Sequence, residues 1–153
     1  KVKMKRIFIK EEVCMGCRLC EIYCIVQHSR SKELLKAFKK ENPRPLPRIM
    51  IEEKGSTSFA LQCRHCEEPY CLEACMSGAL YRDEQTGVIL HNREQCVGCW
   101  MCVMVCPYGA ISRDLREKKA ASKCDLCGGK DPPVCVVKCP NEALVWVETK
   151  GWK

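Results

Sequence analysis

Sixteen of the 153 residues are cysteines, and they fall into four groups with none left over: Cys14, Cys17, Cys20, Cys24; then Cys63, Cys66, Cys71, Cys75; then Cys96, Cys99, Cys102, Cys106; then Cys124, Cys127, Cys135, Cys139. The first and third groups share the spacing C-x2-C-x2-C-x3-C. The second widens the middle gap to four residues and the fourth to seven, while the final C-x3-C interval never changes. Two residues between cysteines let a loop wrap three corners of an iron-sulfur cubane with its backbone N-H groups facing the sulfides. A zinc ion asks only for four thiolates in a tetrahedron. The chemistry that this pattern suits is one-electron transfer.

The third group ends in Cys106-Pro107, which completes the bacterial ferredoxin signature. Its third and fourth cysteines stand four residues apart, about one helical turn, so they diverge toward different clusters, as in two-cluster ferredoxins. Similar tails follow three of the groups: Met76-Ser-Gly-Ala-Leu80, Pro107-Tyr-Gly-Ala-Ile111 and Pro140-Asn-Glu-Ala-Leu144. The repeating unit is therefore half a ferredoxin, about one cluster's worth of chain.

Two other uses of clustered cysteine are weaker. A disulfide scaffold needs export, and the basic start Lys1–Arg6 is followed by an apolar run, Ile7–Ile9, too short for a signal peptide. No apolar run is long enough to cross a bilayer, and a cytoplasmic location with reduced thiols is expected. A zinc-binding interaction module is the remote alternative, because paired C-x2-C motifs also build zinc ribbons. The triple C-x2-C-x2-C followed by Cys-Pro favours iron and sulfur.

The formal charge of +7 would ordinarily suggest a nucleic-acid partner. Four cubanes with their thiolates would add about −8 and leave the chain near −1, so the basic excess reads as counter-charge for cofactors. No nucleic-acid partner is expected.

The segments between the groups must position them. Ser31–Lys40 reads as a helix with Leu34, Leu35 and Phe38 on one face, Ser31 as its cap and Lys32, Lys36, Lys39 and Lys40 as a solvated face. Asn42–Pro47 stops it and runs extended. Ile49–Glu52 and Ser58–Gln62 read as short strands around Gly55, and Leu80–Arg82 with Gly87–Leu90 as a hairpin through Asp83–Thr86. Arg6–Ile9 and Ala143–Val147 read as strands of one sheet, which would close group one onto group four.

Little else in the chain does chemistry. There is no G-x-G-x-x-G and no P-loop, and with three histidines and every cysteine engaged no nucleophile-base pair remains. The chain is expected to be a non-catalytic subunit. His28 and His65 lie near cysteines and either could donate to a cluster sulfur. Packing or exposure is the plainer role, since each cluster already has four thiolates. Trp100, beside Cys99, reads as a shield against water.

The order of the groups, the stretch Cys63-Arg-His-Cys-Glu-Glu-Pro-Tyr-Cys71 and the stretch from Cys96 through Cys106-Pro-Tyr-Gly-Ala110 resemble the four-cluster iron-sulfur subunits of dimethyl sulfoxide reductase type. Within that family, His28-Ser-Arg-Ser-Lys32, Lys36-Ala-Phe38 and Asn42-Pro-Arg-Pro45 are most similar to the electron-transfer subunits that accompany nickel-iron carbon monoxide dehydrogenase. The resemblance implies nested pairing, first group with fourth and second with third. Four 4Fe-4S clusters would then sit on Cys14, Cys17, Cys20 and Cys139; on Cys124, Cys127, Cys135 and Cys24; on Cys63, Cys66, Cys71 and Cys106; and on Cys96, Cys99, Cys102 and Cys75. Some relatives replace one ligand by Trp; here Trp100 replaces none.

The expected fold is α+β: two tandem bacterial-type ferredoxin-like modules with short strands and helices around the clusters. One module spans 1–30 plus 112–153, the other 59–111, and 31–58 is an inserted helix and strand linker. The resemblance implies a relay between a catalytic oxidoreductase, foremost carbon monoxide dehydrogenase, and a hydrogenase or flavin-dependent NAD(P) oxidoreductase. A molybdenum or tungsten pterin oxidoreductase acting on formate or aldehyde is the alternative partner.

Overall fold

A computed structural model describes residues 4–116 and 118–149, with 119–122 described as backbone alone. Its secondary-structure elements are short. Four antiparallel two-stranded sheets alternate with helices of four to ten residues.

Strand β1, Met4–Ile9, pairs with β8, Leu144–Thr149, in the register Met4↔Thr149 to Ile9↔Leu144. This sheet joins the segment before group one to the segment after group four, as the strand patterns predict. Lys10 N-H extends the pairing to the Ala143 carbonyl at 2.8 Å. Hairpin β2–β3, Ile49–Lys54 with Thr57–Gln62, turns through Gly55 and Ser56. Its alternating face buries Ile49, Ile51, Ala60 and Gln62.

That hairpin is a buttress for group one. Ile51 N-H donates to Glu21 Oε1 at 2.6 Å, and Ser58 Oγ donates to the Cys14 carbonyl at 2.8 Å. Helix α1, Leu19–His28, carries Cys20 and Cys24 one turn apart on its buried face. Helix α2, Leu34–Lys39, is shorter than the predicted Ser31–Lys40 and begins after Glu33, whose backbone is extended. Ser31 Oγ takes the Glu33 N-H at 3.4 Å in a turn and caps nothing, because the left-handed Lys32 interrupts the helix before that point. The buried face also differs from the predicted one: Ala37 is fully enclosed, while Leu34 and Leu35 are 45% and 71% exposed.

Hairpin β4–β5, Leu80–Arg82 with Ile89–His91, starts its second strand two residues later than predicted. Asp83 Oδ2 takes the Thr86 N-H and the Asp83 carbonyl takes the Gly87 N-H, which holds 83–87 in a turn. The pair β6–β7, Ser112–Asp114 with Lys119–Ser122, was not predicted. Its polar sequence has no apolar alternation to announce it. Four further short helices carry cysteines: α3, Tyr70–Glu73; α4, Met101–Val105; α5, Leu126–Gly129; and α6, Val134–Val137.

Two apolar clusters form, and cysteines belong to both. Ile7, Ile49, Ile51, Ala60, Leu126 and Leu144 pack with Cys20, Cys24 and Cys135. Leu80, Ile89 and Ile111 pack with Cys102, and Leu72, Val103 and Trp100 lean on them. Burying one such aliphatic side chain contributes about 1.5–3 kcal/mol. With so few of them, the apolar interior alone is small for a chain of this length.

Candidate metal centres

The four cysteine loops share a backbone device. The residue before the second cysteine is left-handed in every group: Gly16 at φ +67°, His65 at +47°, Gly98 at +72° and Leu126 at +52°. Glycine adopts this without penalty, whereas a residue with a Cβ pays roughly 1–2 kcal/mol. His65 and Leu126 therefore mark loops whose shape matters more than local comfort. After the second cysteine of groups one and three comes another left-handed residue, Arg18 at +59° and Trp100 at +58°, and α1 and α4 start on the next residue.

The tails repeat as well. Three residues after the last cysteine of groups two, three and four, Gly78, Gly109 and Glu142 are left-handed, and their N-H groups bond the carbonyls of Cys75, Cys106 and Cys139 at 3.2–3.4 Å. These turns aim further N-H groups at sulfur: Leu80 at Cys75 (3.4 Å) and Ala143 at Cys139 (3.3 Å). Arg48 N-H reaches Cys24 Sγ at 3.3 Å and His65 N-H reaches Cys63 Sγ at 3.5 Å. Backbone donors on sulfur favour its anionic form.

The cysteines gather in sets drawn from different groups. Cys14, Cys17, Cys20 and Cys139 line one pocket, walled by Ile51, Ala60 and Leu144. Cys63, Cys66, Cys71 and Cys106 line a second with Ile89 and Ile111, and Cys75, Cys96, Cys99 and Cys102 a third with Leu80 and Trp100. Cys24 packs with Cys135 in one apolar cluster, against which Cys124 also leans, and its charge helps to push up the thiols of Cys124, Cys127 and Cys135.

Burial and neighbouring sulfurs act together on the thiols. Burial first, then charge from neighbours including Cys17 and Cys139, pushes Cys20 up to about 12. Burial and Cys63, Cys106 and Cys66 push Cys71 up to about 11, against the nearby Lys123 ammonium. Burial and Cys71, Cys75 and Cys96 do the same to Cys102, also to about 11. Burial raises Cys135, with Cys127, Cys24 and Cys20 adding to it, and raises Cys124 well above its ordinary range, with Cys135, Cys63 and Cys24 adding. Cys75 goes the other way. Burial would raise it, but the N-H groups of Leu80, Ala79 and Ser77 and the Ser77 hydroxyl outweigh that. Sixteen free thiols in such surroundings fit cationic iron-sulfur cores, whose binding would displace the thiol protons.

Charge coupling also orders the sets: Cys20 acts on Cys135, Cys63 on Cys124, and Cys71 on Cys102. Each coupling joins one four-thiol set to the next, an order that suits a row. Its two outer members each contain an exposed cysteine, Cys17 and Cys99, while no cysteine of the inner two is exposed.

Around the row, polar side chains tie the groups together. His28 Nδ1 lies 2.8 Å from the Cys24 carbonyl and 3.7 Å from its sulfur, and Nε2 lies 3.1 Å from Asp125 Oδ1. Burial alone would lower this imidazole, but Asp125 and Cys24 outweigh it and raise it to about 9. Arg48 pairs with Asp125 Oδ2 at 2.6 Å, and Cys127 N-H bonds Oδ1 at 3.0 Å. Group one is thus clamped onto group four. His65 is a core residue, 2% exposed, whose Nδ1 accepts the Ile89 N-H at 3.2 Å. Burial, Lys123 and Arg6 hold it neutral, and its Nε2 has no hydrogen-bond partner among the described residues. Trp100 covers the Cys96–Cys102 pocket with its ring under the Arg113 guanidinium. Sequence reasoning missed Lys123, 4% exposed, because a lysine beside a cysteine in a polar stretch looks like surface.

Known proteins carry the same pattern. Electron transport protein HydN of Escherichia coli (strain K12) is 35% identical over 161 aligned residues, covering 95% of this chain and 89% of that protein. A protein named only as an iron-sulfur protein in Rhodospirillum rubrum is 34% identical, covering 96% and 84%. The probable anaerobic dimethyl sulfoxide reductase chain YnfG of Escherichia coli is 31% identical, covering 90% and 70%. Among solved structures, a chain of the active-site complex BamBC of benzoyl-coenzyme A reductase, in complex with zinc, superposes with a TM-score of 0.56 at 22% identity, covering 100% of this chain and 83% of that one. That likeness is one of fold. Residues 56–149, more than half of the chain, match the model of the 4Fe-4S dicluster domain. The chain belongs to the 4Fe-4S dicluster domain family.

Proposed function

We propose that this iron-sulfur electron-transport protein relays single electrons through four 4Fe-4S clusters held by the four mixed-group thiol sets. The observation that carries the reading is the gathering of thiols from different groups around shared pockets: Cys139 with Cys14, Cys17 and Cys20; Cys106 with Cys63, Cys66 and Cys71; and Cys75 with Cys96, Cys99 and Cys102. Charge coupling of Cys24 with Cys124, Cys127 and Cys135 supports a fourth set between the first two, and Cys17 and Cys99 are the exposed thiols at the two ends. Each cluster, when bound, supplies a one-electron couple whose potential depends on hydrogen bonds to sulfur and on exposure. The chain's part is to hold the sets in order, to place N-H donors on Cys24, Cys63, Cys75 and Cys139, and to keep water from the middle of the row. The nested sets and the two apolar clusters support two tandem modules, 1–30 plus 112–153 and 59–111, with 31–58 as a buttress on the first. The outermost residues of that first module, 1–3 and 150–153, lie outside the described ones.

Carbon monoxide dehydrogenase is the donor assigned to it, with a hydrogenase or flavin-dependent NAD(P) oxidoreductase as acceptor. The support is the linker resemblance at His28–Lys32, Lys36–Phe38 and Asn42–Pro45. A second reading, a molybdenum or tungsten pterin oxidoreductase as partner, is favoured by the relative named as a dimethyl sulfoxide reductase chain. Anaerobic affinity purification separates the two: nickel in the co-purifying protein supports the first, molybdenum or tungsten the second. A relay also requires that dithionite bleach the visible absorption of the isolated chain; zinc content with no reducible chromophore would overturn the reading.

A further inference from the structure

Lys123 is 4% exposed, and its ammonium meets no carboxylate among the described residues. It donates to the Ile89 carbonyl and lies 3.4 Å from the Cys124 carbonyl and 3.5 Å from His65 Nδ1. The nearest carboxylate along the chain, Asp125, is engaged by Arg48, His28 and the Cys127 N-H. A buried cation held by carbonyls alone is expensive and calls for a buried anion.

Thiol sets flank it on both sides. Lys123 precedes Cys124 of one inner set, and the two residues its ammonium touches, Ile89 and His65, line the pocket of Cys63, Cys66, Cys71 and Cys106 in the other. A second buried cation, Arg6 at 7% exposed, lines one cavity with Cys63 and Cys66 of the same inner set, and its Nε has no hydrogen-bond partner among the described residues.

We infer that Lys123 is the buried counter-ion of the two inner clusters and a positioning residue for the electron. It raises the potential of the cluster on Cys63, Cys66, Cys71 and Cys106, so that the step between halves leads into a favourable site. The inference rests on the proposed ligation of these thiols. Reduction adds one negative charge to a cluster and no proton, and a fixed positive charge nearby favours that form over the oxidised one.

The test compares the full chain, purified anaerobically, with Lys123→Met and Lys123→Arg. Iron and sulfide are measured first, then a redox titration is followed by electron paramagnetic resonance. In Lys123→Met with full iron, one cluster's reduced-to-oxidised ratio at fixed ambient potential falls about tenfold, a shift of about 59 mV to lower potential; Lys123→Arg keeps the parent value. A fully loaded Lys123→Met with every parent potential would overturn the inference and leave the relay standing. If Lys123→Met fails to load, Lys123→Arg and Lys123→Gln decide. Restoration of iron and potentials by Arg alone supports the inference, and equal restoration by Gln sinks it. A parent chain without clusters would fail the relay reading itself.

Discussion

The outer and inner thiol sets are built from one repeat and covered differently. Each outer set leaves a cysteine exposed, Cys17 or Cys99, beside apolar residues that also face solvent, Met15 at 60% and Val97 at 70%. The inner sets expose none, and around them stand buried Lys123, Arg6 and His65. In the proposed relay, similar loops would serve two purposes. At the ends the repeat would bring a site close to a redox partner, since an electron entering or leaving needs a short path. In the middle it provides insulation and fixed charge, which water would otherwise screen.

The sharpest way to break this comparison is to remove one ligand of each kind. Cys135→Ser puts a hydroxyl into the apolar cluster that contains Ile7, Ile49 and Leu144, at a point where groups one and four meet. The expected outcome is loss of native circular dichroism and of most iron, because an empty site does not persist. Cys17→Ser at the exposed end is expected to keep the fold and lose at most about a quarter of the iron. Equal damage from the two would show that burial does not distinguish inner from outer sets.

What the sequence made legible follows the strength of each physical signal. Cysteine spacing is an absolute constraint, so the four groups, the helical turn from Cys20 to Cys24 and the absence of leftover thiols were all readable in advance. The pairing of Arg6–Ile9 with Ala143–Val147 was readable from two apolar β-rich runs at opposite ends of the chain, and the strand itself begins at Leu144. Helix α2 was misread in part because Leu34 and Leu35 outrank Ala37 in hydropathy, while Ala37 is the residue that the fold encloses. Strands Ser112–Asp114 and Lys119–Ser122 carry no alternation, so backbone pairing alone defines them. Lys123 was invisible because its burial depends on elements far apart in sequence, the Ile89 strand and the His65 loop.

Next in expected size is the clamp between groups one and four. Asp125→Ala removes the carboxylate shared by His28, Arg48 and the Cys127 N-H, and leaves two partly buried cationic partners without it. A loss of about 3 kcal/mol is expected in denaturant unfolding of the loaded protein. A loss below about 1 kcal/mol would mean that clusters alone join the groups.

Smaller is the effect of the left-handed loop position. Gly16→Ala adds a Cβ at φ +67° that would lie 3.3 Å from Ser58 Oγ. It is expected to cost about 1–2 kcal/mol and to lower iron retention at the outer set. The smallest effect belongs to the exposed face of α2: Leu35→Gln should change stability by less than about 0.5 kcal/mol. A larger loss there would reveal a surface covered by a partner during purification.

The count of cofactors tests the central claim most directly. Anaerobically purified chain, assayed for iron and acid-labile sulfide against amino-acid analysis, is predicted to contain about sixteen of each per polypeptide, four clusters of four. A value near eight, in protein that is fully folded and fully reducible by dithionite, would contradict a row of four and leave half of the thiol sets without a role.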